Sequence, residues 1–514
     1  MAQYPDTIII LDFGSQYTQL IARRLREAKV YCEIHPFNTP VEKIKTLLPK
    51  GLIFSGGPAS VYEKNPPLPS REFLEIGIPV LGICYGMHLI GKMFGGRVAK
   101  AGRKEYGAAE LEILADSPLF AGLGKKSRVW MSHGDHLIHP PQGFIHTASA
   151  WNARYGAMED PKRRLYLVQF HPEVTHTPDG PGIIRNFAFE ICGAKGNWTP
   201  EYFIRQAVDK IRKQLGDGKA LVALSGGVDS SVTAMLMRRA APEQILPIFV
   251  DNGLLRIEDR AVVEDTLIRE LGLNVRIIDA GDRFLQALAG VEEPESKRKI
   301  VGETFIRVFE DAASDWDEAK FLAQGTLYPD VIESVSVKGP SATIKSHHNV
   351  GGLPDAMGLE LIEPLRELFK DEVREVGRLL KLPENIVKRH PFPGPGLAVR
   401  ILGEVTHRLT QILRKADDIF ISELRDSGWY EKVSQALCVL LPVKSVGVMG
   451  DARTYEYVLA LRSVDTEDFM TAQWSPLPYE LLEKISNRLI NEVEGINRIV
   501  YDVSTKPPAT VEWE

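Results

Sequence analysis

Short apolar segments alternate with helical patterns through the first two-thirds of this 514-residue chain. Residues 7–13 and 220–224 read as buried strands, and each is followed by an amphipathic stretch, at residues 17–27 and 230–239. Strands that are apolar throughout are typical of parallel sheets, because helices cover both faces of such a sheet. The alternation therefore predicts parallel sheets with helices on both sides.

Two interruptions divide this pattern into three blocks. Glycine and proline break it over residues 192–200, and the string His-Pro-Phe-Pro-Gly-Pro-Gly-Leu at residues 390–397 forms neither a helix nor a central strand. We expect an α/β protein with two doubly wound parallel-sheet domains, residues 1–199 and 200–390. A smaller α+β C-terminal domain is expected to follow, over residues 391–514.

The composition excludes several classes of protein. Lys and Arg number 62 against 68 Asp and Glu, and the formal net charge of −6 excludes nucleic-acid binding through bulk charge. The apolar stretches are too short or too interrupted by glycine to span a bilayer, and the first residues lack the pattern of a signal peptide. The four cysteines form no Cys-x-x-Cys pair. We expect a cytoplasmic protein with neither a membrane nor a nucleic acid as its partner.

A cysteine stands where a strand is predicted to turn into a helix. Residues 82–86 read Gly-Ile-Cys-Tyr-Gly, which is the nucleophile-elbow pattern with Cys84 in the serine position. The glycines permit a sharp turn, and the helix N-terminus favours a thiolate and offers N–H groups to an oxyanion. The alternative is a buried and inert cysteine. A base and its orienting group are available in His171 and Glu173, which follow a strand-like run.

These segments resemble the class I (triad) glutamine amidotransferases. The strings Asp-Phe-Gly-Ser-Gln at residues 12–16 and Ser-Gly-Gly-Pro at residues 55–58 complete the resemblance, in the order of that family. It implies that Cys84 attacks the side-chain amide of glutamine and forms a thioester, while His171 transfers protons and Glu173 orients its ring. It also implies an oxyanion hole, formed by two backbone amides, those of Gly57 and Tyr85.

A second glycine-rich loop follows the predicted strand at residues 220–224. It reads Ser-Gly-Gly-Val-Asp-Ser-Ser over residues 225–231, and it lacks the Gly-Lys-Ser/Thr of a Walker A loop. Consecutive glycines before a helix let N–H groups converge on an anion. Asp229 would repel a phosphate unless a cation intervenes, and Mg²⁺ with ATP meets that requirement. An ordinary strand-to-helix turn capped by Ser230 is the alternative.

The loop resembles that of the ATP pyrophosphatases, which split ATP into AMP and pyrophosphate. Residues 249–253 lie where that family recognises adenosine, and residues 344–354 form a glycine-rich string that we interpret as a lid rather than a metal site. The ATP-binding residues that the resemblance implies are Ser225, Gly226, Gly227, Val228, Asp229, Ser230, Ser231, Val250 and Lys345.

The last block carries long, distinctive strings at residues 450–455, 465–471 and 501–514. With the two sites above, they closely resemble the GMP synthetases. That family joins XMP and ATP into adenylyl-XMP with magnesium, and ammonia then displaces AMP. The resemblance implies glutamine, XMP and ATP as substrates and a homodimer formed through the C-terminal domain. The XMP contacts that it implies are Arg298, Gln435, Asp451, Arg453, Lys506 and Glu512.

Two other functions remain open from the residues alone. An NAD or asparagine synthetase with a fused glutaminase would have a carboxylate acceptor, and the purine-type tail would be unexplained. An RNA-modifying protein of the same loop class would need a basic face and usually a cysteine within residues 200–390, where none occurs. The spacing of His133, His136 and His139 suggests zinc, but no cysteine accompanies them, and we expect a substrate-side loop there.

Overall fold

The computed structural model describes residues 4, 6–151, 153–314, 316, 319–335, 359–449, 452–466 and 471–514. Two compact units divide them, and the first contains the described residues up to Phe203 together with residues 331–335. The second begins at Ile204 and contains the last block of the chain. The boundaries predicted at residues 199 and 390 remain predictions.

One mixed sheet forms the first unit. Among its described residues nine strands are present: β1 (Ile8–Asp12), β2 (Cys32–Pro36), β3 (Gly51–Phe54), β4 (Val80–Ile83), β5 (Arg97–Ile113), β6 (Lys126–His139), β7 (Ile145–Ala150), β8 (Ala153–Asp160) and β9 (Leu165–Val168). Their order is β2-β1-β3-β4-β9-β8-β7-β5-β6. In this spatial order the strands from β2 to β9 are parallel to one another. The remaining four, from β8 to β6, extend the sheet with antiparallel pairing.

The parallel half of this sheet agrees with its sequence, while the antiparallel half was not expected. The strands β3, β4 and β9 are buried along their whole length, as strands covered on both faces must be. In contrast, buried and exposed residues alternate through much of β6, which is typical of an antiparallel strand with one face toward water. The helices of the unit are α1 (Thr18–Glu27), α2 (Val41–Thr46), α3 (Tyr85–Met93), α4 (Gly180–Asn186), and the beginning of α5 (Pro200–Leu215).

A fully parallel sheet of five strands begins the second unit, counted over the described residues. Its strands are β10 (Lys219–Leu224), β11 (Ile245–Asp251), β12 (Arg276–Asp279), β13 (Ala319–Ala323) and β14 (Glu360–Ile362). They run in the order β12-β11-β10-β13-β14, so the chain leaves β10 first toward one edge and later toward the other. Ligands of open α/β sheets bind at such a switch point, beyond the carboxyl ends of the strands. The glycine-rich loop after β10 lies at this point.

Helices surround this sheet and lead into a last, mixed sheet. The helices are α6 (Val228–Ala240), α7 (Ile257–Ala261), α8 (Gly281–Ala287), α9 (Pro294–Ser314), α10 (Tyr328–Val335), α11 (Lys370–Leu379), α12 (Glu384–Val387), α13 (His407–Asp426) and α14 (Tyr479–Glu492). The last sheet comprises β15 (Gln435–Met449), β16 (Ala452–Asp465), β17 (Gln473–Trp474) and β18 (Ile496–Tyr501). The α/β class is confirmed, and the last block combines helices with a smaller sheet, as its α+β prediction requires. No helix in the described part of the chain has the length and apolar character needed to cross a membrane.

One apolar core runs through both sheets of the second unit. It joins Ile248 of β11 to Leu413 of α13 and Leu459 of β16, and all three side chains are fully buried. The last block therefore shares its core with the block before it.

Truncation of a side chain in this shared core tests the arrangement. We expect Leu413→Ala to lower the free energy of unfolding by about 3 kcal/mol, because it removes buried methyl groups and leaves a cavity. Leu379→Ala, at an exposed helical position in the same unit, should cost less than about 0.5 kcal/mol. Thermal unfolding followed by calorimetry measures both, and equal losses would contradict the shared core.

Candidate active sites

Cys84 lies in a strained turn between β4 and α3. Its φ of +50° and ψ of −102° place a non-glycine residue in a conformation that is rarely occupied. The flanking glycines make room for the turn. A Cβ on Gly86 would lie 2.4 Å from the carbonyl oxygen of Phe54, and one on Gly82 would lie 2.9 Å from the backbone of Gly86. The Gly-x-Cys-x-Gly string is therefore a steric requirement of the elbow.

His171 and Glu173 form a buried pair beside this turn. Nδ1 of His171 and Oε1 of Glu173 are 2.7 Å apart, and the two residues are 3% and 0% exposed. The backbone of His171 is also fixed, because its N–H donates to Trp130 and its carbonyl accepts from the hydroxyl of Thr177 at 2.7 Å. With Nδ1 directed at the carboxylate, Nε2 is the nitrogen available to the thiol.

The charge of Glu173 governs the protonation of His171. Burial lowers the pKa of His171, but the carboxylate of Glu173 and the hydrogen bond to Cys84 outweigh burial, and the pKa lies well above 6.5. A protonated imidazole next to a cysteine favours the thiolate, which is the nucleophilic form. The three residues thus have the arrangement that nucleophilic catalysis requires.

Gln169 contacts the sulfur of Cys84 and His88 holds Gln169, and sequence reasoning missed both. Nε2 of Gln169 donates to Sγ at 4.0 Å, and Oε1 of Gln169 lies 2.7 Å from Nε2 of His88. Burial lowers the pKa of His88, so its ring is neutral and donates to the amide oxygen. The only signal for Gln169 was its place two residues before His171.

The Ser-Gly-Gly loop after β3 packs directly against the triad. A Cβ on Gly56 would lie 3.1 Å from the ring of His171 and 3.8 Å from Cβ of Cys84, and one on Gly57 would lie 2.7 Å from the carbonyl oxygen of Phe13. Backbone thus approaches the ring of His171 more closely than a side chain would comfortably allow. The oxyanion role of Gly57 and Tyr85 remains a prediction.

The glycine-rich loop after β10 is organised by hydroxyl groups. Gly226 has a φ of +76°, and the backbone N–H of Ser225 donates to Oγ of Ser230 at 3.1 Å. The hydroxyls of Ser230 and Ser231 both donate to the carbonyl oxygen of Gly227, at 3.1 and 2.8 Å. The loop leads directly into α6, whose N-terminus carries the partial positive charge that binds anions.

Asp229 has a cationic partner that the sequence did not reveal. Nζ of Lys370 lies 2.5 Å from Oδ2 of Asp229, while Oδ1 is buried and has no hydrogen-bond partner among the described residues. Lys370 is the first residue of α11, where the helix dipole disfavours a cation. That unfavourable placement was the available signal. The orphan oxygen is a ligand that Mg²⁺ would accept, so the site fits a cation that binds together with ATP.

The remaining ATP-site residues are only partly placed. Val250 is buried near the end of β11, which pairs directly with β10. Lys345 lies outside the described residues, and so does Asp451.

Two of the residues expected to bind XMP meet in the second unit. Nε2 of Gln435 donates to Oε1 of Glu512 at 2.9 Å, and Arg400, which sequence reasoning missed, donates to both oxygens of Glu512 at 2.9 and 3.0 Å. Arg298 instead donates to the backbone oxygen of Glu514 at 2.5 Å.

The structure does not bring all the expected XMP residues together within one chain. Arg453 pairs with Val448 at one end of the β15–β16 hairpin, whereas Gln435 pairs with Val464 at the other. The two ends are about 35 Å apart at the rise of a β-strand. Lys506 pairs through its backbone with Ala472, at 2.8 and 3.0 Å.

The chain matches three protein families in succession. Residues 9–191 match the class-I glutamine amidotransferases, residues 200–304 match the NAD synthases, and residues 422–513 match the C-terminal domain of GMP synthases.

Whole-length relatives carry one name. The chain is 55% identical over 507 residues to the glutamine-hydrolysing GMP synthase of Aquifex aeolicus, with 99% of each chain covered. It is 56% identical over 511 residues to that of Nitratiruptor sp., again with 99% of each covered. Among solved structures, a glutamine amidotransferase from Thermotoga maritima is 16% identical, with a TM-score of 0.31, and the match covers 37% of this chain and 100% of that one.

The His171–Glu173 pair predicts a pH-dependent contribution to stability. A folded-state pKa above the ordinary 6.5 stabilises the fold fully below that value, and the stabilisation is lost as pH rises through the raised pKa. We therefore expect Glu173→Gln to lower the melting temperature more at pH 6 than at pH 9. Glu110→Gln, at an exposed carboxylate of β5, is the control and should show no such difference. An equal loss for Glu173→Gln at both pH values would contradict the assignment.

Proposed function

The chain belongs to the glutamine-hydrolysing GMP synthase family, and we propose that it converts XMP to GMP with ammonia from glutamine and with ATP as the activating substrate. The observation that carries this proposal is the presence in one chain of a buried thiol–imidazole–carboxylate site and a separate glycine-rich anion loop. Residues 422–513 match the C-terminal domain of GMP synthases. This match favours XMP as the acceptor over the acceptor of an NAD synthetase.

In the first site Cys84 acts as the nucleophile. Its thiolate adds to the side-chain amide carbon of glutamine, and the oxyanion is held by the N–H groups of Gly57 and Tyr85. The C–N bond breaks as His171 protonates the departing ammonia, which leaves a thioester on Cys84. His171 then takes a proton from water, whose oxygen displaces the sulfur and releases glutamate. Glu173 stabilises the imidazolium in each step.

In the second site the glycine-rich loop holds the phosphates of ATP. The backbone N–H groups at the start of α6 and the ammonium of Lys370 supply the positive charge that faces these phosphates. Mg²⁺ bound with the nucleotide would neutralise phosphate charge, and Asp229 would hold it. The oxygen at C2 of the XMP base attacks the α-phosphorus and pyrophosphate leaves. Ammonia then attacks C2, and AMP departs with the oxygen.

The last block recognises XMP in this proposal. Glu512 is an acceptor for the N–H groups of the purine base, and Gln435 holds it in place. Arg453 reaches such a site only from a second copy, since it lies at the other end of the hairpin. Exposed apolar side chains near Arg453 support a homodimer through this hairpin, among them Val448 at 74% and Tyr455 at 59% exposure.

The four free, buried cysteines support a cytoplasmic location.

Replacement of the thiol separates the two activities. We expect Cys84→Ala to abolish glutamine-dependent GMP formation and to leave ammonia-dependent formation within about twofold of wild type, because the nucleophile belongs only to the first site. Cys192→Ala, at another buried free cysteine of the first unit, should retain both activities. GMP formation with each nitrogen source measures this, and a parallel loss of both activities in Cys84→Ala would contradict the division of labour.

Replacement of the Asp229 carboxylate should impair the ATP-dependent reaction and spare glutamine hydrolysis. We expect Asp229→Asn to slow XMP-dependent pyrophosphate release roughly 100-fold, because it removes a charge that orders both Lys370 and the cation of ATP. Glutamine hydrolysis at Cys84 should persist. Asp282→Asn, at an exposed carboxylate of α8, serves as the control. Unchanged pyrophosphate release in Asp229→Asn would refute this role.

A further inference from the structure

Three fully buried cations make contacts with residues 502–514. We name these residues the tail. The cations are Lys297, Arg400 and Arg462, each 0% exposed. A buried cation is stable only when it is paired and hydrogen-bonded. The tail supplies partners for all three, so it belongs to the charge balance of the interior.

Arg462 closes the tail into a loop. Its guanidinium donates to the backbone oxygens of Ser504, Thr510 and Val511 at 2.9 to 3.0 Å, and it pairs with the carboxylate of Asp502 at 2.7 Å. Both ends of the loop therefore rest on one side chain of β16.

Arg400 holds Glu512 in its ionised form. Burial raises the pKa of Glu512, but the charge of Arg400 and the hydrogen bonds from Arg400 and Gln435 outweigh burial, and the pKa lies below its ordinary value. An ionised carboxylate only accepts hydrogen bonds. Glu512 thus has the state that its proposed role toward the purine N–H groups requires.

Lys297 binds Glu514, which lies two positions after Glu512. Its ammonium donates to Oε2 of Glu514 and to the backbone oxygen of Ile401, both at 2.6 Å, and to that of Ala398 at 3.3 Å. Three acceptors use all three of its protons. The next residue of α9, Arg298, donates to the backbone oxygen of Glu514.

A single residue separates Glu514 from Glu512. The chain bends at residues 511 and 512, and so short a connection limits how far Glu512 can move once Glu514 is fixed. Glu512 and Glu514 both contact buried cations, while the indole of Trp513 donates to Asp502 at 3.0 Å. Fixing residue 514 therefore restrains the position of residue 512.

We propose that Lys297 is a positioning residue for XMP, because it anchors Glu514 and thereby aims the carboxylate of Glu512 at the purine base. This inference rests on the proposed function of Glu512. In this proposal Lys297 does not contact XMP. It binds Glu514, and Glu512, two residues earlier, contacts the base.

Steady-state kinetics of the full-length protein tests the proposal. Ammonia-dependent pyrophosphate release gives the KM for XMP and for ATP, and glutaminase assays report on the other unit. We expect Lys297→Met and Glu514→Gln each to raise the KM for XMP roughly tenfold, with the KM for ATP and glutamine hydrolysis changed by less than about twofold. Lys299→Met removes an exposed lysine from the same helix and should change none of them.

The double variant distinguishes one shared interaction from two independent effects of the substitutions. If Lys297 acts through Glu514, Lys297→Met combined with Glu514→Gln raises the KM for XMP no further than either change alone. Melting temperatures establish that each variant is folded. Additive effects in the double variant, or a rise in both KM values together, would overturn the proposal.

Glu512→Gln separates failure of this inference from failure of the proposed function. A raised KM for XMP in Glu512→Gln, with an unchanged KM in Lys297→Met and Glu514→Gln, overturns the anchoring role alone. An unchanged KM for XMP in Glu512→Gln overturns the proposed role of Glu512, and the anchoring role with it.

Discussion

The fully buried guanidinium of Arg400 joins segments that are distant in the sequence. It pairs with Glu512, and its Nη1 lies 3.7 Å from one carboxylate oxygen of Asp417. The other oxygen of Asp417 forms an ion pair with Nε of Arg256 at 2.8 Å. The ring of Phe392, from the proline-rich segment, lies about 5 Å from both guanidinium groups. Two cations and two carboxylates thus balance within the core. Removal of any one leaves an uncompensated buried charge, which typically costs about 3–5 kcal/mol. The chain beyond residue 390 is therefore bound to the nucleotide-binding block by charge as well as by apolar packing.

Features encoded by neighbouring residues were predictable from the sequence. The elbow around Cys84 needs glycine on both sides because backbone lies within 3 Å of the point that a Cβ would occupy at each, and such a requirement leaves a local string. The loop before α6 is likewise contiguous, and so is the pair His171 and Glu173. Uniformly apolar strands predicted the parallel sheets for the same reason, since burial on both faces removes polar residues from the run.

Features that depend on distant partners were not predictable. Lys370 and Asp229 are 141 residues apart, and Arg400 and Glu512 are 112 apart. No periodicity marks one lysine or arginine as the partner of a given carboxylate. The antiparallel half of the first sheet escaped prediction because its long strands read as half-polar stretches. The contact of Arg298 with XMP remains a prediction, and the sequence did not mark the partner that this side chain has in the structure, the backbone oxygen of Glu514, 216 residues away.

The apolar core shared by the two sheets of the second unit bears on how such a protein can change over evolution. Leu459 and Leu413 pack in one cluster with Ile248 of the nucleotide-binding sheet. A recombination event that exchanged the last block for a foreign one would expose part of that cluster and strip partners from the buried cations. Substrate range in this architecture is therefore expected to drift by point substitution within the tail and hairpin, while wholesale shuffling of the acceptor module is disfavoured.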